Sequence, residues 1–506
     1  MKSTLKSVFI LTILFVIQNQ ILFSQSISSQ QELKTFLDEK EKIFEDISVQ
    51  MGVANWNVYS AEGEADLDTP NKRYVDLFSD KSLNEAITDW YKKKDEIEDL
   101  VLQRRVEVWH HVLTSAKVDY NEEVFSLANK LEKWLAGSGD VANKPDNEQI
   151  NKMVLDLFKI RNKKAKELGF DNYAYMALEL SALNVDWFNK MINMIEERTR
   201  EPYLKLIEDF KKEQNTDTLK FQAAMRWVGA FYMNSMGANI EKDAMTPVMK
   251  STLSNIGIDY DKLPVRFVEK DIPYGGNGLA IQIPNDFRIV VQLNMPIAVW
   301  MHELGHGLHG MFTKIESPIL KGYEWCLGNE SPAFGEGMAQ SFAFFANNPV
   351  WLKENVGATD ESIKSTNDIL DKYAPAYLRY QLTAILLEIE MYKNLDANPT
   401  QLRDKLNKKY LMLDVPQQNP VDLANVFYAA YPVYLQNYFI ADIIAWQVHD
   451  ALESKFGKDY IYDAKVSEHM INNLYKDGAL YTWQQKMKNA TGRELDIDGY
   501  LKSFGL

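Results

Sequence analysis

Two histidines and a glutamate in one short segment have the types and spacing of a metal centre. His302 and His306 lie four residues apart with Glu303 between them, which is the pattern H-E-x-x-H. On an α-helix, which turns about 100° per residue, both imidazoles project from one face about 6 Å apart along the axis and can bind one tetrahedral ion. Glu303 is turned about 100° from His302, so its carboxylate can reach a water on that ion without being a ligand. The pattern predicts a catalytic zinc helix that begins near Asn294 and Pro296; the alternative is two core histidines on an ordinary helix.

A catalytic zinc usually has three protein ligands and an open position, so a third donor is expected downstream. Glu330 and Glu336 are the two candidates. Ser331-Pro332 predicts a helix start, which places Glu336 on a rigid helix and leaves Glu330 before it, so we favour Glu336. Gln340, one turn later, is placed to hydrogen-bond a ligand histidine, and for His309 we favour a packing or supporting role over a ligand role.

The segment before the zinc helix predicts two short strands, over 279–283 and 287–293. Glycines precede the first strand, and Gly276 and Gly278 are interpreted as substrate-binding positions. The missing side chains would let an extended peptide pair with that strand. The alternative is an ordinary turn.

The rest of the chain predicts a mainly α protein. Residues 31–250 show apolar positions at helical spacing, and the helical pattern resumes at Asn294. The aromatic stretch 427–439, which continues to Trp446, is interpreted as a buried helix, since polar residues and a proline interrupt it too often for a membrane span. With 506 residues, of which 46% are hydrophobic, the chain is too long for one core, and no linker separates its parts. We therefore expect two interwoven lobes.

Composition excludes several classes of protein. The net charge is −15, and no basic stripe is present that could follow a phosphate backbone, so nucleic acid is not expected as a partner. The single cysteine, Cys326, permits no intramolecular disulfide. Lys2 and Lys6 precede an apolar run over residues 8–17, which is typical of a signal peptide occupying residues 1–24. That run is too short for a retained membrane span, so the mature chain, 25–506, is expected to be secreted or periplasmic.

The zinc segment resembles two families of glutamate-ligand zinc peptidases (gluzincins). Asp286-Phe-Arg-Ile289, the H-E-x-x-H segment and Ser331-Pro-Ala-Phe-Gly-Glu336 are similar to the angiotensin-converting-enzyme (peptidyl-dipeptidase A) family. His309 and Gln340 instead match the thimet oligopeptidase and oligoendopeptidase families. The likeness is strongest over residues 270–385. It implies two helical lobes around a deep central channel, with a small β-sheet next to the zinc helix.

The converting-enzyme resemblance also assigns roles in the segment Pro375 to Tyr380. Tyr380 matches the tyrosine that stabilises the tetrahedral intermediate, and Tyr377 would hold the substrate's C-terminal side. Arg379 matches a chloride ligand, which implies chloride as an optional second ion. Two histidines and a carboxylate-binding lysine of that family have no counterpart here, which argues against strict release of C-terminal dipeptides.

The resulting prediction is a secreted zinc metallopeptidase of oligopeptides. His302, His306 and Glu336 would hold one Zn²⁺, and Glu303 would act as general base and then as general acid. Cleavage would be of the peptidyl-dipeptidase or the internal-cutting oligopeptidase type. The alternative is a zinc-containing protein that binds peptides without cleaving them.

Overall fold

The structure is a computed structural model that describes residues 27–137, 143–235 and 240–506. Residues 1–24, where we expect the signal peptide, lie outside this part of the chain. Within the described ranges, no helix is both long and apolar enough to cross a bilayer.

The prediction of a mainly α protein is confirmed, and capping residues explain where several helices begin. Ser29 and Glu32 form a capping box at the first helix, and Thr359 and Ser362 form another at the longest one. The helices, in chain order, are α1 (Gln30–Ser60), α2 (Asp68–Phe78), α3 (Lys81–Tyr91), α4 (Leu100–Asp119), α5 (Glu122–Leu135), α6 (Asn147–Glu167), α7 (Tyr173–Leu180), α8 (Val185–Glu213), α9 (Phe221–Ser235), α10 (Lys242–Asn255), α11 (Ile297–Met311), α12 (Pro332–Ala343), α13 (Pro349–Val356), α14 (Asp360–Lys393), α15 (Pro399–Tyr410), α16 (Val426–Ala430), α17 (Leu435–Phe456), α18 (Lys465–Met470), α19 (Trp483–Thr491) and α20 (Ile497–Lys502).

A three-stranded sheet lies between α10 and α11 in the sequence. Its strands are β1 (Val265–Lys270), β2 (Gly276–Gln282) and β3 (Asp286–Gln292). The central strand β3 runs parallel to β1 and antiparallel to β2, so β2 is an edge strand. The sequence predicted β2 and β3 but not β1, whose six residues are marked as a strand only by their pairing with β3.

Helix α12 packs between α11 and α17, and glycines permit the close approach. A Cβ atom on Gly305 of α11 would lie 2.6 Å from Cα of Ala339 on α12. On the other side, a Cβ on Gly337 would lie 2.7 Å from Cγ2 of Ile444 on α17. Since carbon atoms pack at about 3.5–4.0 Å, neither position has room for a side chain. The spacing of these three helices is therefore set by glycine.

The N-terminal helix α1 covers the sheet. A Cβ on Gly52 would lie only 3.0 Å from Cα of Ile281 in β2, so the helix backbone rests directly on that strand. Buried apolar side chains form one continuous cluster from Leu33 to Leu501. The division into two lobes stays a prediction.

Candidate metal centre

The structure brings together the three predicted zinc ligands. Nε2 of His302 lies 3.2 Å from Oε2 of Glu336, and Nε2 of His306 lies 3.7 Å from the same oxygen. One ligand atom from each of the three residues lies within 4.8 Å of the others. Two imidazole nitrogens and a carboxylate oxygen are a common donor set of catalytic zinc. The close packing of α11 on α12 produces this cluster, because the histidines and the glutamate lie on different helices.

Neighbouring side chains orient these donors. The Nδ1–H of His302 donates to Oε1 of Gln340 at 3.0 Å, so the imidazole can present Nε2 to an ion that displaces the proton there. The hydroxyl of Tyr434 donates to Oε1 of Glu336 at 2.7 Å. The other carboxylate oxygen, Oε2, is buried among the imidazoles and has no hydrogen-bond donor.

The electrostatics of the cluster favour a cation. Burial opposes a charge on His302, but Glu336 outweighs that effect and raises the pKa of His302 to about 9. A buried carboxylate oxygen without a donor is costly unless a positive charge compensates it. The residues present therefore fit a zinc ion, which would supply that charge.

Glu303 lies beside the cluster in a pocket formed by the glycines of β2. Burial, and then the charge of Glu336, raise the pKa of Glu303 to about 7, although the backbone N–H of Gly278 donates to its carboxylate. A Cβ on Gly276 would lie 2.8 Å from Oε1 of Glu303, and one on Gly278 would lie 2.7 Å from its backbone oxygen. The missing side chains thus make room for Glu303, a role that the sequence did not suggest for these glycines.

Gln340 connects His302 to a further buried carboxylate that the sequence analysis missed. Asp442 on α17 accepts hydrogen bonds from the side chains of Gln340 and Tyr377, the latter at 3.3 Å. Burial raises the pKa of Asp442 to about 7. The structure therefore places Tyr377 behind the histidine ligand. The predicted substrate-binding role would require Tyr377 to line the central cavity, but it is not among the lining residues.

The other two residues of that segment also lie outside the cavity lining. Tyr380 packs against the hydrophobic core and is absent from the residues that line the cavity, and the oxyanion role that the resemblance implied for it stays a prediction. Arg379 is fully buried, and the Glu196 carboxylate, 3.2 Å away, balances its charge. Its guanidinium also donates to Thr199 and to the carbonyl oxygen of Tyr410. Chloride at Arg379 stays an untested expectation.

The rejected ligand candidate, Glu330, forms a separate ion pair. Its carboxylate lies 2.6 Å from Nζ of Lys486, in a buried position, and 3.7 Å from Nε2 of His309. His309 is buried against Phe334, and it is absent from the group of possible metal ligands. These positions agree with the preference for Glu336 and with a supporting place for His309.

A cavity of about 660 Å³ opens over the three ligands and Glu303. Its walls come from distant parts of the chain, including α1, α5, β2 and the segment that joins α16 to α17. Tyr431, Tyr434 and Tyr438 line it. The stretch expected to form one buried helix is divided into α16 and α17, because the chain breaks between Tyr431 and Tyr434. Val433 there has a φ of 55°, which is strained for a β-branched residue.

Two buried ionisable residues hold this break in place. The guanidinium of Arg161 donates to the carbonyl oxygens of Tyr428 and Ala429, at 3.1 and 2.8 Å. The carboxylate of Glu388 accepts the backbone N–H of Val433 at 2.9 Å. The tyrosines therefore occupy fixed positions in the cavity wall. Nothing in the local sequence marks them as site residues, since their partners are far away in the chain.

The chain is similar to two curated peptidases over part of its length. Oligopeptidase A from Salmonella typhimurium is 22% identical over 223 residues, and the Escherichia coli protein is 23% identical over 223 residues. Each match covers 40% of this chain and 31% of the relative, so the chain matches about a third of the length of these relatives. No protein-family model matches the sequence.

Solved structures share the fold over nearly the whole chain. They include BsuCP (TM-score 0.66), a carboxypeptidase from Pyrococcus furiosus (0.65) and an M32 carboxypeptidase from Deinococcus radiodurans (0.62), each 14% identical to this chain. The alignments cover 94–95% of this chain and 99–100% of the other chains. The chain therefore shares the fold of these structures.

Proposed function

We propose that this protein is a zinc metallopeptidase that hydrolyses internal peptide bonds of oligopeptides. One observation carries the proposal: Oε2 of Glu336 is buried between two imidazoles without a donor, beside a second carboxylate whose pKa is near neutrality. The first feature fits an ion, and the second fits a general base for hydrolysis. The similarity to oligopeptidase A and the fold shared with carboxypeptidases support the same class of reaction.

In this mechanism His302, His306 and Glu336 hold the zinc. When bound, zinc polarises a carbonyl group and lowers the pKa of water toward neutrality. Glu303 accepts the proton of the attacking water and then delivers it to the leaving amine. A pKa near 7 suits both steps, because the carboxylate must gain and lose a proton at the same pH.

We assign the oxyanion role to the tyrosines of the cavity. Tyr434 is engaged by Glu336, whereas no hydrogen-bond partner of the Tyr438 hydroxyl exists among the described residues. Tyr438 lines the same cavity as Glu336 and Glu303, and the charges of both carboxylates act on its hydroxyl. A phenol in such a position can donate to the developing oxyanion.

Internal cleavage is favoured by the charges in the cavity wall. An enzyme that removes residues from the C-terminus needs a cation for the terminal carboxylate. Arg161 and Lys321 are the only lysine or arginine side chains among the described lining residues. Arg161 is bound to backbone carbonyls, and Lys321 is paired with Glu45 at 2.5 Å. The edge strand β2 lines the same cavity and offers its backbone to an extended peptide.

The test is mass spectrometry of a peptide pool incubated with the zinc-loaded protein, with Glu303→Gln as the matched control. We expect products from the wild type and a loss of at least about a hundredfold in rate for the variant, as is usual when a general base is removed. Capping each peptide with a C-terminal amide should leave internal cleavage intact. A zinc-loaded wild type that binds peptides but cuts none would instead support the peptide-binding alternative.

The site of action is also proposed, from the sequence alone. The predicted signal peptide would lead to export, so the active protein would be found in the periplasm or the medium. Fractionation of the native host, with N-terminal sequencing of the mature chain, tests this. A cytosolic protein that retains residues 1–24 would contradict it.

A further inference from the structure

Glu324 is an acidic side chain of the cavity that the proposed mechanism does not use. It lies in the irregular segment between α11 and α12, it is exposed, and it lines the cavity. A Cβ on Gly335 would lie 2.8 Å from its Oε1, so the carboxylate rests on α12 directly beside Glu336. Glu324 forms no hydrogen bond and no ion pair with any described residue.

Several acidic side chains lie near Glu324, and no described lysine or arginine pairs with it. The depth of its position in the protein, and then the carboxylates of Glu336, Glu330 and Glu303, raise the pKa of Glu324 to about 8. The two lining cations, Arg161 and Lys321, already have partners. The carboxylate of Glu324 is therefore available to form an ion pair with a positive charge brought into the cavity.

A second polar group beside Glu324 also lacks a partner. Ser331 precedes α12, and its hydroxyl lines the cavity and is buried, with the residue only 7% exposed, yet it forms no hydrogen bond. It does not cap the helix, which is the usual use of a serine at that position. Ser331 and Gly335 are one turn apart, so this hydroxyl lies on the face of α12 that Glu324 covers. Buried polar groups without partners are rare, and one that faces a cavity points to a ligand.

Aromatic side chains complete the surroundings. Trp325 follows Glu324 and lines the cavity, and its indole N–H also lacks a partner. The charge of Glu324 acts on the hydroxyls of Tyr431, Tyr434 and Tyr438 across the cavity. Aromatic faces near a carboxylate favour ammonium and guanidinium groups.

We propose that Glu324 and Ser331 form a subsite for a positively charged group of a peptide substrate, next to the zinc ligands. The group is a lysine or arginine side chain near the scissile bond, or the N-terminal ammonium of a short peptide. The carboxylate of Glu324 pairs with the cation, and the hydroxyl of Ser331 accepts one of its N–H groups. The inference rests on the proposed function and names the class of peptide that the site would prefer.

The experiment compares matched peptides that differ only at one position, with Lys, Arg or Met near the cut, each with a free or an acetylated N-terminus. We expect the wild type to favour a cationic peptide over its neutral match by at least about tenfold in kcat/KM. Glu324→Gln should bring that ratio close to one, and Glu324→Lys should invert it toward peptides with Glu. Glu361→Gln, on the exposed first turn of α14, is the control and should keep the wild-type ratio. The acetylated series tells a side-chain preference from an N-terminal one.

Binding gives a second measurement that does not need cleavage. Affinities of the same peptides for Glu303→Gln, and for Glu303→Gln combined with Glu324→Gln, are measured by titration calorimetry. Cleavage of all peptides with no preference that depends on Glu324 would overturn the subsite and leave the proposed function standing. If the wild type cleaves nothing, the proposed function fails, and the binding preference alone decides the subsite. Melting curves check that each variant is folded.

Discussion

Replacing Gly305 by alanine should separate the two helices that hold the metal. The added Cβ would lie 2.6 Å from Cα of Ala339, whereas carbon atoms pack at about 3.5–4.0 Å. The obstacle is backbone, so no side chain can turn aside, and α11 and α12 must move apart by about 1 Å. Metal–ligand distances vary by only about 0.2 Å, so this displacement takes His302 and His306 out of reach of Glu336.

The magnitude follows from two opposing effects. Overpacking of this kind destabilises a protein by about 1–3 kcal/mol. Alanine is also a better helix former than glycine by about 1 kcal/mol. Gly229 on α9 isolates the second effect, because a Cβ there would meet nothing within 4 Å. We expect Gly229→Ala to be neutral or slightly stabilising, and Gly305→Ala to be less stable than it by about 1–3 kcal/mol.

Two assays measure the outcome. Urea unfolding of the metal-free proteins gives the difference in stability between the two variants. Competition with a chromophoric chelator gives zinc affinity, which should fall at least about tenfold in Gly305→Ala but not in Gly229→Ala. Wild-type zinc affinity and stability in Gly305→Ala would refute the reasoning that the glycine sets the spacing of the metal helices.

Three further variants test other parts of the site. Tyr434→Phe removes the hydroxyl that donates to the glutamate ligand at 2.7 Å, and chelator competition should show a loss of about 10–100-fold in zinc affinity; an unchanged affinity would contradict an orienting role. Gly276→Ala places a Cβ 2.8 Å from Oε1 of Glu303, so kcat should fall while zinc content stays at one per chain, and a drop in metal content alone would contradict this. Burial raises the pKa of the Glu388 carboxyl from its ordinary value of 4.5 to about 8. Between these two pH values the folded state keeps a proton that the unfolded chain has lost, so the free energy of unfolding falls as pH rises. Glu388→Gln should remove that loss, up to ~5 kcal/mol, and unfolding curves between pH 5 and pH 8 that slope as in the wild type would argue against it.

The parts of the site that the sequence predicted are those that local geometry determines. His302 and His306 share a face because four residues make about one turn, which holds for any helix. Glu336 was preferred over Glu330 because Ser331-Pro332 begins a helix, and the structure has that helix beginning at Pro332. None of these inferences needs knowledge of what packs on the segment.

The missed residues depend on contacts between distant segments. Tyr434 meets Glu336 across 98 residues of sequence, and Asp442 reaches His302 only through Gln340. An aromatic stretch has the same sequence pattern whether its side chains fill a core or face a cavity. The hydropathy of 427–439 therefore favoured a buried helix. The oxyanion role was placed on Tyr380 because resemblance matched a short pattern, while the fold puts other tyrosines over the metal ligands.

The cavity wall depends on contacts between distant parts of the chain, so it can be completed only late in synthesis. Tyr59 of α1 donates to Glu132 at 2.8 Å and accepts a hydrogen bond from Tyr431, so the first and last parts of the cavity wall are joined by side chains 372 residues apart. At about 5–20 residues per second, a ribosome needs roughly 20–70 s to synthesise that interval. During this time α1 lacks the part of the cavity wall that Tyr431 contributes. A nascent chain truncated before residue 431 should therefore be retained by chaperones, and activity should return only when the missing C-terminal fragment is supplied in trans.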